Sequence, residues 1–183
     1  MAAFVNLTII GALYHAMIGD RIVSLLLAAF GTYTAIHPVY ILAPVLNFLP
    51  RRHLATNTII FLSCLGALIG ASWGVTGSWR FLLTSYGSRL SYASLKPNVG
   101  LYWYLSIEMF DFFRPLFAIF LQLHSLFYWI PTGIRFRHDP LFMAFMVIGL
   151  QAVLQPNPTV ADAALYLAMI PLFPELYDSS FLH

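Results

Sequence analysis

The sequence predicts an all-α, polytopic membrane helical bundle of short, Pro-broken helices, and three observations carry that prediction. Only 9% of the 183 residues are charged, while 60% are apolar and 16% aromatic; soluble domains carry about a quarter charged residues. Mean hydropathy is +0.80, which leaves too little polar surface to cover a globule of this size in water. The apolar runs are separated by brief breaks of Arg, His, Asp and Pro, and about five to seven of them fit the ~20-residue ruler of a bilayer or its tilted and partly inserted variants. The net charge of +2, with Lys96 the single lysine, forms no basic stripe able to neutralise a phosphate backbone, so nucleic acid is not expected as a partner. Cys64 is the sole cysteine and the six histidines never fall in an i, i+4 pair. Neither a disulfide nor a metal centre is expected, and no cofactor motif stands in the chain.

Taken in order, residues 4–18 form a first apolar segment closed by Gly19, Asp20 and Arg21. With no basic stretch before it and no well-placed cleavage site, it reads as a membrane helix and not as a removable signal. A chain that opens directly in such a helix is expected to come from the interior of a longer protein. Residues 22–36 form a second segment that stops at His37-Pro38. Residues 39–49 continue the apolar stretch, but Pro44 and Pro50 predict a kinked or broken helix packed against protein. Arg51, Arg52 and His53 make a polar break. Residues 56–75 are uncharged throughout and give the clearest span; Gly66 and Gly70 form a GxxxG pair that suggests a packing face.

Residues 76–98 turn to Gly, Ser, Tyr and dispersed Arg, and Trp73, Trp79, Phe81 and Tyr86 suit a headgroup-level loop or surface helix. Pro97-Asn98-Val99-Gly100 is turn chemistry, so a new helix should begin near Leu101. Arg114-Pro115 opens another apolar stretch over residues 116–130. Residues 135–140 return the chain to water, residues 141–154 form a short span, and residues 155–158 a tight turn. A last short span covers residues 159–173, its Thr159 and Asp162 spaced like a capping box. The basic breaks at residues 51–53 and 135–138 lie two crossings apart and are expected on the cytosolic side.

Ionisable groups at membrane depth are costly, about 2.5–3.5 kcal/mol at a helix centre on insertion scales, so each needs a physical reason. Glu108 and Asp111 are one helical turn apart and are expected to share a face. They read either as a carboxylate pair facing a watery cleft, able to hold hydroxyl or ammonium groups of a lipid head, or as headgroup-level residues with Asp111 paired to Arg114. Asp162 is accounted for as a helix cap, and Gln122 with His124 as hydrogen-bonding links between helices. Asn6-Leu7-Thr8 is a formal glycosylation sequon whose apolar setting argues against use. No nucleophile with an adjacent base and no phosphate loop is present, so no catalytic constellation is predicted.

Four stretches resemble one family in the same order along the chain. The run Pro97-Asn98-Val99-Gly100-Leu101-Tyr102-Trp103-Tyr104, continuing through Glu108-Met109-Phe110-Asp111 to Phe113, resembles a motif of the phosphatidylinositol-glycan class U (PIG-U) family. So do residues 25–40 with their closing His37-Pro38, residues 127–140 with Tyr128 and Pro131, and Pro158-Thr159-Val160-Ala161-Asp162-Ala163-Ala164-Leu165-Tyr166. The resemblance implies a subunit of the glycosylphosphatidylinositol (GPI) transamidase in the endoplasmic reticulum membrane, non-catalytic, that helps recognise or present the GPI lipid beside the other subunits. It also implies a fold similar to membrane glycosyltransferases of the GT-C type. On this reading residues 1–183 are a single membrane domain from the family's central part, without its N-terminal and C-terminal helices. Asn98, Tyr102, Trp103, Glu108, Asp111, Phe112 and Phe113 are then candidates to line the lumenal mouth of a GPI-holding groove. The alternative is a GT-C-type glycosyltransferase using a dolichol-linked mannose donor, with Asp111 or Glu108 as general base. A transporter would show an inverted internal repeat, and the sequence has none.

Overall fold

A computed structural model describes residues 2–87, 97–98, 100–155 and 158–174. Every regular element among the described residues is helical. Helix α1 (Ala2–Ile18) buries Val5, Thr8, Ile9, Ala12, Leu13 and Ala16, a stripe at helical spacing. Its other face is also apolar, with Phe4, Leu7, Ile10, Tyr14 and Met17 exposed. A helix apolar on both faces suits contact with protein on one side and lipid on the other. It stops at Gly19, whose φ of 88° is left-handed. The Asp20 N–H donates to the His15 carbonyl and the Gly19 N–H to the Ala16 carbonyl, so two otherwise orphaned carbonyls are satisfied in a Schellman turn.

This tight turn folds α2 (Arg21–Thr34) back along α1. Leu25, Ala28 and Ala29 of α2 are buried, and Gly31 lets the α1 and α2 backbones close up: a Cβ there would sit 2.7 Å from Thr8 Oγ1. The buried hydroxyls of Thr8 and Thr32 donate to carbonyls of their own helices, at Val5 and Ala28, so they enter the core without an unpaired donor.

The expected break after α2 is present. His37–Ile41 forms a 3-10 turn and leads into the seven-residue α3 (Leu42–Phe48). Pro44 sits in the first turn of α3, where its missing N–H costs no helical hydrogen bond, and Leu49 is extended ahead of Pro50. Pro44 and Val45 are fully buried, and α3 packs against α1, α2, α6 (Arg114–Arg135) and α7 (Pro140–Leu154). The shortest helix is therefore among the most enclosed, because its neighbours supply the burial its length cannot.

Helix α4 (Leu54–Thr76), 23 residues ending at left-handed Gly77, is long and apolar enough to cross a membrane. It leans on α2 and buries only Asn57 and Phe61. The Tyr33 and Ser72 hydroxyls share a hydrogen bond, and the Tyr86 hydroxyl donates to the Tyr33 carbonyl. Among the described residues the GxxxG expectation is corrected: a Cβ added at Gly66, Gly70 or Gly74 would meet nothing within 4 Å. That face is directed away from the described residues. The expected surface segment shows a turn at Arg80–Leu82 and a wider one at Leu83–Gly87; residues 88–96 lie outside the described residues.

Helix α5 (Leu101–Glu108) starts where the turn chemistry places it. Helices α6 and α7 each carry proline in the first turn, and α6 continues through Pro131 to Arg135. Helix α8 (Val160–Met169) ends in a 3-10 turn at Ile170–Leu172. The core is completed by Met143, Ala144, Phe145, Val147 and Ile148 of α7 and by Leu165 and Met169 of α8. The α7–α8 contact is aromatic: Tyr166 stacks on Phe145 at 4.8 Å and 19°, and Phe145 lies 5.1 Å from Phe173.

Candidate functional site

The residues picked out around Glu108 occupy two ends of one helix. Asn98 precedes α5, and its Oδ1 accepts a hydrogen bond from the Gly100 N–H at 2.8 Å, closing an Asx turn. Gly100 is pressed against Pro158, since a Cβ there would lie 2.7 Å from the proline ring. Glu108 closes the helix at its far end, so the eight-residue α5 separates Asn98 and Glu108 by about 12 Å of helical rise. They do not come together.

The shared face expected for Glu108 and Asp111 is also corrected. Met109 is extended (φ −91°, ψ 142°) and ends the helix, and Asp111 falls in the turn before Arg114 opens α6. The chain has to leave helical conformation before a second helix can start in a new direction. Asp111 Oδ1 lies 2.8 Å from Arg114 Nη1 with both side chains open, at 87% and 45% exposure. Arg114 Nε also donates to the Ser106 carbonyl at 3.0 Å, so one guanidinium ties α5, the turn and α6 together. Glu108 is exposed and forms no ion pair among the described residues. Around these charges stand Phe110 and Phe112, 81% and 86% exposed, with Phe113 packed edge-on against Phe112 at 5.2 Å. Trp103 is half-buried on α5. The side chains of Tyr102, Gln122 and His124 lie outside the described residues. The loop at residues 109–113 thus presents exposed rings beside a carboxylate and an ion pair, a combination suited to the boundary between acyl chains and polar heads.

A second polar site lies at the opposite end of α5, where the start of α1, the His37–Ile41 turn, the end of α7 and the start of α8 meet. A shallow, open cleft there is lined by Asn6, Ile9, His37, Pro38, Tyr40, Ile41, Val147, Ile148, Gln151, Ala152, Gln155, Asp162 and Leu165. Asn6 Nδ2 donates to the Ala161 carbonyl at 2.7 Å, joining α1 to α8 across 155 residues of sequence. Asp162 forms the expected capping box with Thr159. Its Oδ2 accepts from the Thr159 N–H at 2.8 Å, the Thr159 hydroxyl at 2.5 Å and Gln155 Nε2 at 2.5 Å. Tyr40 is fixed from behind, its carbonyl accepting from Trp129 Nε1 at 2.9 Å and its ring edge-on to Trp129. Read singly, these residues are a sequon, a helix end and a cap. The signal that joins them is that Gln151 and Gln155 stand one turn apart at the end of an otherwise apolar helix, where polar side chains need a reason.

Among the described residues, no group of three or more His, Cys, Asp or Glu side chains is placed to hold a metal ion. Comparison with known proteins identifies the lineage. The family described as GPI transamidase subunit PIG-U matches residues 1–182. The chain is 31% identical over 173 residues to the GPI-anchor transamidase component PIGU of Homo sapiens, covering 87% of this chain and 40% of that protein. It is 29% identical over 178 residues to the GPI transamidase component GAB1 of Saccharomyces cerevisiae, covering 95% of this chain and 45% of that protein. The chain therefore spans less than half the length of these curated relatives. With four separate sequence motifs, an all-helical bundle and a match along nearly the whole chain in agreement, the protein belongs to the GPI transamidase subunit PIG-U family.

Proposed function

We propose that the chain is part of a non-catalytic subunit of a GPI transamidase complex, resident in the endoplasmic reticulum membrane as a multi-pass protein, where it helps recognise or present the GPI lipid to the other subunits. The observation that carries this reading is the family match over residues 1–182. The exposed apolar faces of α1, α4 and α6 support residence in lipid, and the broken helices are compatible with a GT-C-like bundle of about five to seven membrane segments. GPI is anionic at its phosphates and hydroxyl-rich along its glycan. In this proposal Glu108 and Asp111, the latter paired with Arg114, meet the head group and Trp103, Phe112 and Phe113 border the acyl chains, while Asn98 and Tyr102 shape the start of the same helix.

The test replaces Glu108→Ala and Asp111→Ala together in a protein of the full family length and measures surface GPI-anchored proteins by flow cytometry. Complex assembly is followed by co-purification in the same cells. The proposal expects lower surface levels with assembly intact. Unchanged surface levels with assembly intact would remove the 109–113 loop from the lipid site.

A further inference from the structure

We propose that the end of the bundle formed by the α1–α2, α3–α4 and α6–α7 turns binds the phosphates of acidic phospholipids in the surrounding leaflet, with Arg52 and Arg137 as the contact residues. The proposal rests on the membrane residence argued above and concerns the end away from the 109–113 loop. Helix α6 starts beside that loop and runs 22 residues to Arg135, about 33 Å of helical rise.

Contacts between the helices bring the three turns to one end. Asn47 Nδ2, near the end of α3, donates to Met143 Sδ near the start of α7 at 3.2 Å, which sets residues 50–53 beside residues 136–139. Tyr33 and Ser72, both late in their helices, share a hydrogen bond, so α2 and α4 run parallel and their starts, at Arg21 and Leu54, fall together. Leu49 is buried and Phe136 packs edge-on against Phe142 at 4.9 Å, so the second and third turns are fixed on the core.

These turns carry five arginines, Arg21, Arg51, Arg52, Arg135 and Arg137, against two acids, Asp20 and Asp139. Asp20 is already paired with His15 at 3.3 Å, and neither Arg52 nor Arg137 forms an ion pair among the described residues. Arg52 Nε donates to His53 Nε2 at 3.0 Å, and Arg137 Nε donates to His138 Nε2 at 2.9 Å. In both exposed arginines the neighbouring imidazole holds the guanidinium by its inner nitrogen. The two terminal NH2 groups have no partner among the described residues, and a planar fork of this kind matches the paired oxygens of a phosphate. Depth selects a lipid as the source of that phosphate. Helix α4 rises about 34 Å over its 23 residues, slightly more than the ~30 Å hydrocarbon core of a bilayer. Arg52, two residues ahead of Leu54, therefore comes at the level of the phospholipid phosphates, beside a helix that buries only Asn57 and Phe61 among the described residues.

The test places the purified chain in nanodiscs of equal phosphatidylcholine and phosphatidylserine and counts the lipids retained on the protein by native mass spectrometry. Arg52→Gln with Arg137→Gln removes both contacts, and Arg52→Lys with Arg137→Lys keeps the charge without the fork. Arg80→Gln removes an exposed arginine beyond the other end of α4. Circular dichroism checks that each variant keeps native helicity. Phosphatidylserine is expected to be enriched on the protein, with the enrichment falling about 5-fold for each arginine lost to glutamine. The lysine pair should retain part of it, and Arg80→Gln all of it. No enrichment, enrichment that the glutamine pair leaves unchanged, or an equal fall with Arg80→Gln overturns the proposal. Any of these in a chain that has entered the nanodisc leaves the membrane and transamidase readings standing, whereas a chain that stays out of the bilayer overturns the membrane reading as well.

Discussion

Gly149→Ala tests the packing that builds the cleft. In the middle of an exposed helix this change stabilises by about 0.5–1 kcal/mol, because glycine loses more backbone freedom on folding. At position 149 the added Cβ would lie 2.7 Å and 2.8 Å from two carbons of the Tyr166 ring, roughly 1 Å inside ordinary carbon contact. Tyr166 has little room to retreat, since it is stacked on Phe145, which is itself packed on Phe173. Overpacking of this kind costs about 1–3 kcal/mol, so the net expectation is a loss of about 1–2 kcal/mol. For a chain of this size that corresponds to about 2–8 °C in Tm. Thermal unfolding of the purified chain in mild detergent, followed by intrinsic fluorescence, measures it. Tyr166→Leu should make room, so Gly149→Ala in that background should become neutral or stabilising, with a coupling of about 1 kcal/mol or more. An unchanged or raised Tm for Gly149→Ala alone, or the same penalty in both backgrounds, would refute the placement of α8 on α7.

Leu25→Ala removes a side chain of α2 that is 0% exposed; a loss of about 2–5 kcal/mol is expected, read as a lower denaturation midpoint. Asn57 is 0% exposed and neither of its amide atoms is hydrogen-bonded among the described residues, so Asn57→Leu should stabilise by about 1–3 kcal/mol, seen as a higher Tm in the same assay. Asp111→Ala should change stability by no more than about 1 kcal/mol, because the Arg114 pair is open to solvent on both sides. A larger Tm shift would show that the pair holds the α5–α6 turn in place.

Helix positions were legible in the sequence because prolines and charges punctuate it. His37-Pro38, Pro44 and Pro50 foretell the broken α3, and Pro97 to Gly100 foretell the start of α5. Packing between helices was less legible. Gly66 and Gly70 have the spacing of a contact face, yet α4 turns them away from the other described residues, and spacing alone carries no information on which face a neighbour occupies. Glu108 and Asp111 have helical spacing but fall on opposite sides of an extended Met109, since the requirement to start α6 at Arg114 outweighs local helix propensity. The cleft was hardest to see: Asn6 and Ala161 are joined by a hydrogen bond across 155 residues, and a contact at that separation leaves no local pattern.

The central claim is that this polypeptide works as part of a GPI transamidase, and affinity purification of the epitope-tagged chain from mild-detergent microsomes tests it directly. The account predicts co-recovery of the transamidase catalytic subunit, either with this chain or with a version extended at both ends to the family's length. Failure of both versions to recover that subunit, with each inserted and folded in the membrane, would contradict it.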